Sequence, residues 1–490
     1  TGASAIDFKA KGEWIIVFDY GQNGGFTGGN GRTGSGYGDG DEFEAGQRVR
    51  LQLDAVASEN LSGQVFFEIG GHKWGIGATA LGADSNSAIK LRRAFIDWMV
   101  PQTDLKIRMG LQGVGLPSFT TESMVFVDDV AGISASYKFD DNVSATALWL
   151  RPFNDNYSSS EYNGTRNSYM DNLDAFVLSV PLTFDGVKVT PWGMYAAIGP
   201  NTFRSNEILG TSSKYYRTGL LPVGGAQHKD GSSSTKNLES YGDAFWAGLT
   251  GEVTTFDPFR IAWDANYGSV SWQDNSRLNR SGWLASLLFE YKLDWSIPGL
   301  YGWYSSGDDN NPANGSERMP SISTNNANNQ FSDFAMNGAP WWHSREGVLS
   351  NSMSGTWGIG ARLKDVGFVE DLKHTLYLNY MGGTNSTTMA KYIKEDGGTP
   401  NNVIPNGIST PTRVGMDPLY MTTGDSALEI GLRNVYQMYE NFQIYFEGAY
   451  IATWLDHSKK VWGNSNMNGV SGSDQVRDPW NINLSFVYSF

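Results

Sequence analysis

The chain of 490 residues contains no cysteine. That excludes disulfide scaffolds, cysteine-based zinc sites and iron–sulfur clusters. No apolar run reaches the roughly 18 residues a membrane-crossing helix needs, and no retained signal peptide is apparent, which does not make the chain cytoplasmic, since a start at Thr1 is also what cleavage of a leader leaves. Positive charge is scarce: 36 Lys and Arg stand against 51 Asp and Glu, a net charge of −15. A general nucleic-acid binder needs the opposite balance, because it must neutralise phosphates. Histidine is limited to five scattered residues, at 72, 228, 343, 374 and 457, with no His-x-x-x-His zinc pair. The Gly-rich stretch Gly28–Gly34 lacks the Lys-Ser/Thr ending and following helix of a phosphate loop. Nothing in these patterns points to a nucleotide or redox cofactor, and His374 has no serine at strand reach, so catalysis is not expected.

What the chain does have is aromatic residues, 13% of the total, 59 glycines, and a recurring two-residue period. Val49, Leu51, Leu53 and Ala55 alternate with Arg48, Arg50, Gln52 and Asp54; Leu105, Ile107 and Met109 alternate with Lys106, Arg108 and Gly110. Each such stretch predicts a strand with one apolar and one wet face. About 18 of them can be placed: near 11–20, 46–57, 62–72, 89–100, 104–112, 131–139, 142–151, 173–184, 187–197, 242–254, 259–267, 281–292, 298–305, 355–364, 373–381, 426–438, 441–454 and 480–490. Between them, tight turns such as Glu59-Asn60 and Asp185-Gly186 take turns with long Gly/Asn/Ser-rich insertions such as 199–241, 306–354 and 382–425. Short connections at one end and long ones at the other predict an all-β transmembrane antiparallel β-barrel, a single domain over 1–490, with periplasmic turns and extracellular loops. Trp14, Tyr20, Trp98, Trp149, Trp263, Tyr267, Trp283 and Tyr291 fall near strand ends on the apolar face, where rings meet lipid headgroups. Mid-strand Arg, Lys, Asp and Glu on the other face suit a wet lumen and not a sealed soluble core.

The end of the chain, Phe486-Val487-Tyr488-Ser489-Phe490, places aromatics on the apolar face of a last strand. It resembles the terminal recognition signal of outer-membrane barrels of Gram-negative bacteria, and the whole chain resembles homotrimeric outer-membrane porins, of the group found in sulfate-reducing bacteria. That resemblance implies a trimer in outer-membrane lipid passing small hydrophilic solutes and ions by passive diffusion. It also implies a loop after the fifth strand that folds into the pore, its acidic residues facing a basic wall. On this chain the loop is 113–130, with Glu122, Asp128 and Asp129; the wall is Arg48, Arg50, Arg93, Lys106 and Arg108, with Asp97 among them. Two departures stand out: 18 strands in place of the 16 of general diffusion porins, and no Pro-Glu-Phe-Gly-Gly motif in the loop. A channel selective for sugars or organic acids is the alternative, and a surface adhesin a third class.

The residues add two questions of their own. In Lys90-Leu91-Arg92-Arg93, strict alternation turns one arginine toward lipid, at a cost of about 2–4 kcal/mol near mid-bilayer. Arg93 is assigned inward with Asp97, and Arg92 to the rim, to a bulge or to a subunit contact. The Asp-rich segments Gly38–Glu42 and Gly307–Asn311 offer hard oxygen ligands for a structural Ca²⁺, but neither matches the twelve-residue calcium loop, and hydrated turns are the plainer reading.

Overall fold

The computed structural model describes residues 6–22, 42–74, 89–154, 172–199, 219–222, 240–273, 276–311, 314–324, 329–336, 349–350, 352–389, 420–456 and 478–490. Its strands are β1 (Asp7–Gln22), β2 (Glu42–Ser58), β3 (Leu61–Lys73), β4 (Ile89–Met99), β5 (Leu105–Gly115), β6 (Val127–Lys138), β7 (Ser144–Asn154), β8 (Asn172–Ser179), β9 (Leu182–Phe184) and β10 (Val187–Ile198). They continue with β11 (Gly242–Val253), β12 (Phe259–Ser271), β13 (Arg280–Tyr291), β14 (Ile297–Ser305), β15 (Thr356–Val369), β16 (Leu372–Gly383), β17 (Ser426–Tyr439), β18 (Phe442–Trp454) and β19 (Trp480–Ser489). Both β8 and β9 pair with β10. They are successive pieces of one crossing, interrupted at Val180 and Pro181, where proline has no amide hydrogen to give a ladder. The count of crossings is therefore 18, not 16.

Every pairing between strands is antiparallel, and β1 pairs with both β2 and β19, so the sheet closes. The seam ends where Gly12 and Phe490 exchange both backbone hydrogen bonds, at 2.8 and 3.0 Å. Closure leaves the spanning sheet without the open edge that lipid cannot satisfy. The terminal phenylalanine thus completes the barrel wall.

The outer face carries a belt of exposed large apolar residues, among them Ile96, Leu178, Leu249, Leu300, Ile359 and Ile430. Trp14, Tyr20, Trp98, Tyr267, Trp283 and Tyr291 of the expected aromatic girdle are exposed on the same face. So much apolar surface on one chain is stable against hydrocarbon and not against water.

One glycine is required by the wall itself. Gly110 of β5 has φ of +128°, and a Cβ there would lie 2.3 Å from the Ala94 carbonyl oxygen of β4. The substitution Gly110→Val is expected to destabilise the barrel by about 1–3 kcal/mol from backbone strain alone. The check is a lower temperature for the folded-to-unfolded mobility change on a gel.

Candidate pore constriction

The stretch between β5 and β6 does not stay at the long-loop end. Residues 116–126 cross the lumen and dock on β12 and β13, on the far wall. Asp264 of β12 accepts from Ser118 Oγ at 2.8 Å, from the Phe119 and Thr120 amides at 2.9 Å each, and from the Thr120 and Thr250 hydroxyls. Thr120 Oγ1 also lies 2.6 Å from Ser286 Oγ of β13, and Arg260 donates to the Phe119 carbonyl at 2.9 Å. The stem is held by packing: Leu116, Met124, Val125 and Phe126 are buried in one apolar cluster with Trp192 and Trp246 of the wall.

A second segment joins it. Ser323, from the connection between β14 and β15, forms a parallel bridge to Phe126, and its carbonyl accepts from the Val127 amide at 2.9 Å. Residues 329–336 of the same connection lie against β14–β17. The Phe331 ring stacks on Tyr301 with centroids 4.3 Å apart, and its carbonyl accepts from Tyr301 and Asn379 at 2.8 Å each. Glu429 of β17 receives Ser332 Oγ, the Phe334 and Ala335 amides, and Asn379 Nδ2 at 2.8–3.2 Å. Arg433 pairs with Asp333 and, at 2.9 Å, with Glu447. These segments pack against the inner side of β11–β17.

The opposite wall, β1–β6, holds the basic residues expected from the sequence. Arg50 reaches Glu13 at 3.2 Å and Glu68 at 3.1 Å. Arg108 grips Asp97 with two bonds, 2.6 and 2.8 Å, and Lys106 meets the same carboxylate at 2.9 Å. Arg93 and Arg92 both bond Asp129 at 2.6 Å, and Arg92 also reaches Glu68 at 3.2 Å. A register shift between Phe66 and Phe67 of β3 is what turns both arginines inward: Phe66 faces Arg93, Phe67 faces Leu91, and Arg92 is the extra residue of a bulge. Neither arginine meets lipid, and Arg92 is no subunit contact.

Aromatic rings back these cations. Arg92 and Arg93 lie 5.8 and 5.4 Å from the Phe66 centroid, and Arg108 lies 3.9 Å from that of Phe95. A ring face orients a guanidinium without neutralising it. Arg48 differs from the rest. It is 8% exposed and its Nε has no hydrogen-bond partner. It lies among the charges of Arg50, Glu68, Glu13 and Arg92. With Lys90, which is 3.9 Å from Glu68, seven cations share the four carboxylates Glu13, Glu68, Asp97 and Asp129. The excess is positive.

The acidic side of the expected constriction is arranged differently from the expectation. Asp128 and Asp129 belong to β6, not to the crossing loop. Asp129 serves the neighbouring strand's arginines, while Asp128 accepts from Ser323 Oγ at 2.9 Å. Glu122 sits half-buried in the loop. Carboxylates and arginines therefore meet along one wall, and the loop crosses to the other through Asp264. Asp264 is not among the carboxylates expected at the site, and its partners 144–146 residues away carry no local signal. Asp97→Asn is expected to free Lys106 and weaken the clamp on Arg108, shifting reversal potential under a salt gradient toward anions.

Among the described residues no group of three His, Asp or Glu is placed to hold a metal. In the Gly307–Asn311 segment Asp308 is taken up by Ser316 and Tyr420, both at 2.5 Å. Gly38–Asp41 lie outside the described residues. His374 contacts Asn434 at 2.5 Å.

These features define an outer-membrane β-barrel of 18 crossings, the architecture of the Gram-negative outer membrane, with two of its own connections packed on the inner wall. The same fold is found in three solved Pseudomonas aeruginosa structures. OpdQ is 10% identical over 99% of this chain and 98% of that chain, with a TM-score of 0.50. OccK11 (OpdR) is 11% identical over 99% and 96%, with a TM-score of 0.51, and OccK9 (OpdG) is 10% identical over 99% and 98%, with a TM-score of 0.52. At such identities the likeness is one of fold. No protein-family model matches the chain, and no curated protein matches it.

This comparison corrects the resemblance to homotrimeric porins of sulfate-reducing bacteria. The barrel is that of the Pseudomonas Opd and Occ structures, and neither the trimer nor the bacterial group stands. The physical reason is that the motif behind the resemblance, the terminal Phe490, marks barrel closure and says nothing of a subunit contact. The arginine offered to such a contact lies in the lumen.

Proposed function

We propose that the barrel is a substrate-selective channel for small organic acids, in place of the general diffusion pore first expected. The observation that carries this reading is the surplus of cations on the β1–β6 wall, where seven cations share four carboxylates and Arg48 forms an ion pair with none of them. A solute carboxylate supplies the negative charge that the wall lacks, and a charge-assisted pair with arginine is the strong form of that bond. The crossing loop confines solutes to the side where these arginines stand, so charge and width act at the same level. A sugar channel needs open aromatic faces along its path. Here Tyr301 is covered by Phe331, and Phe66 and Phe95 are overlaid by arginines.

The test is single-channel recording in a planar bilayer with succinate or maltose added at equal concentration. Block by succinate at concentrations where maltose leaves the current unchanged supports the reading. Equal indifference to both returns it to unselective diffusion.

A further inference from the structure

Asp264 is an oddity among the charges of its wall. On the neighbouring strands, charges alternate as a zip: Lys188 meets Glu252 at 2.8 Å, Glu252 and Glu290 both meet Arg260 at 2.8 Å, and Glu290 meets Arg362 at 2.6 Å. Asp264, on the same strand and face as Arg260, has no cation. It is nonetheless buried, 3% exposed. An ionised carboxylate out of water needs full compensation. Here the compensation is five hydrogen-bond donors, four of them from the tip of the crossing loop. The loop covers Asp264, and Asp264 fixes the loop.

We infer that Asp264 is the positioning residue that sets the bore of the neck and, through it, which solutes the channel admits. The stem and tip of the loop are held by different forces. Leu116, Met124, Val125 and Phe126 keep the stem packed whatever happens at the tip, whereas residues 118–120 rest on Asp264, on Ser286 and on one bond from Arg260. Loss of the carboxylate releases the tip without dissolving the fold. Asparagine cannot stand in: it offers one acceptor oxygen, and in either orientation its NH₂ would face a backbone amide, of Phe119 or of Thr120, that can only donate. Glutamate keeps both oxygens.

The inference rests on the channel reading above for its meaning, but its test does not need ion flow. The chain has no cysteine, so Ser286→Cys gives one thiol on β13 directly beneath the loop tip. In the full-length barrel a membrane-impermeant methanethiosulfonate reaches that thiol slowly. With Asp264→Asn or Asp264→Ala in addition, labelling is expected to accelerate about tenfold or more, each tenfold answering to the loss of about one charge-assisted bond. With Asp264→Glu it stays slow. In bilayers, Asp264→Asn is expected to raise conductance about twofold or more and to admit larger polyethylene glycols. Unchanged labelling in a folded Asp264→Asn protein, judged by its heat-modifiable gel mobility, would overturn the inference. A wild-type barrel indifferent to succinate, with labelling still accelerated by Asp264→Asn, would instead sink the organic-acid reading and leave the positioning role intact.

Discussion

Arg48→Gln is expected to weaken block by succinate about ten- to a hundredfold while leaving the barrel as stable as before. The size follows from the bond removed, since a hydrogen bond to a charged group contributes about 1.5–3 kcal/mol and each 1.4 kcal/mol is tenfold in affinity. The neutrality toward folding follows from the same feature that singles the residue out. Arg48 Nε has no protein partner, so its loss leaves no carboxylate stranded in the wall. Arg50→Gln is the contrast, because Arg50 serves Glu13 and Glu68. Its loss removes a cation and leaves Glu13 without its arginine, while Glu68 keeps Arg92 and Lys90, so reversal potential should move toward cations as well. Titrating succinate against single-channel current for the two variants separates a binding contact from a change in field. Equal affinity in wild type and Arg48→Gln would remove Arg48 from the path.

The second large effect is on stability. Glu429→Leu is expected to destabilise the folded barrel by about 3–5 kcal/mol, because several buried donors lose their acceptor at about 1–3 kcal/mol each. Glu429 is fully buried and accepts from Ser332, Phe334, Ala335 and Asn379 at once. Leucine fills part of its volume but leaves two backbone amides and two side-chain donors without acceptors. Residues 329–336 then find water only by leaving the wall. Urea unfolding in detergent measures the loss, and faster proteolysis near 329–336 in the folded protein locates it. Glu429→Gln keeps an acceptor and should fall in between.

The barrel was legible in the sequence because lipid outside and water inside impose opposite demands on successive residues. The Val49–Ala55 and Phe259–Tyr267 stretches state that alternation openly, and all 18 crossings lie where it placed them. Position along the lumen was harder. Arg92 broke the alternation, and a bulge was one of three solutions open to it; only its pairing opposite Phe66 and Phe67 decides which holds. The reach of residues 116–126 to Asp264, and of 329–336 to Glu429, depends on contacts 94–146 residues apart. No periodicity encodes such contacts, because loop docking is fixed by complementary donors and acceptors and not by a repeating solvent boundary. For the same reason Asp128 and Asp129 read as loop residues, although they open β6. Trimerisation came from a likeness at the chain end, and that end serves closure.

The most direct test of the arginine wall as a path for anionic solutes is the reversal potential of the reconstituted wild-type barrel under a tenfold potassium chloride gradient, with and without succinate. A potential of the sign set by chloride, with succinate reducing the current, is the predicted result. Cation preference with no response to succinate would contradict it.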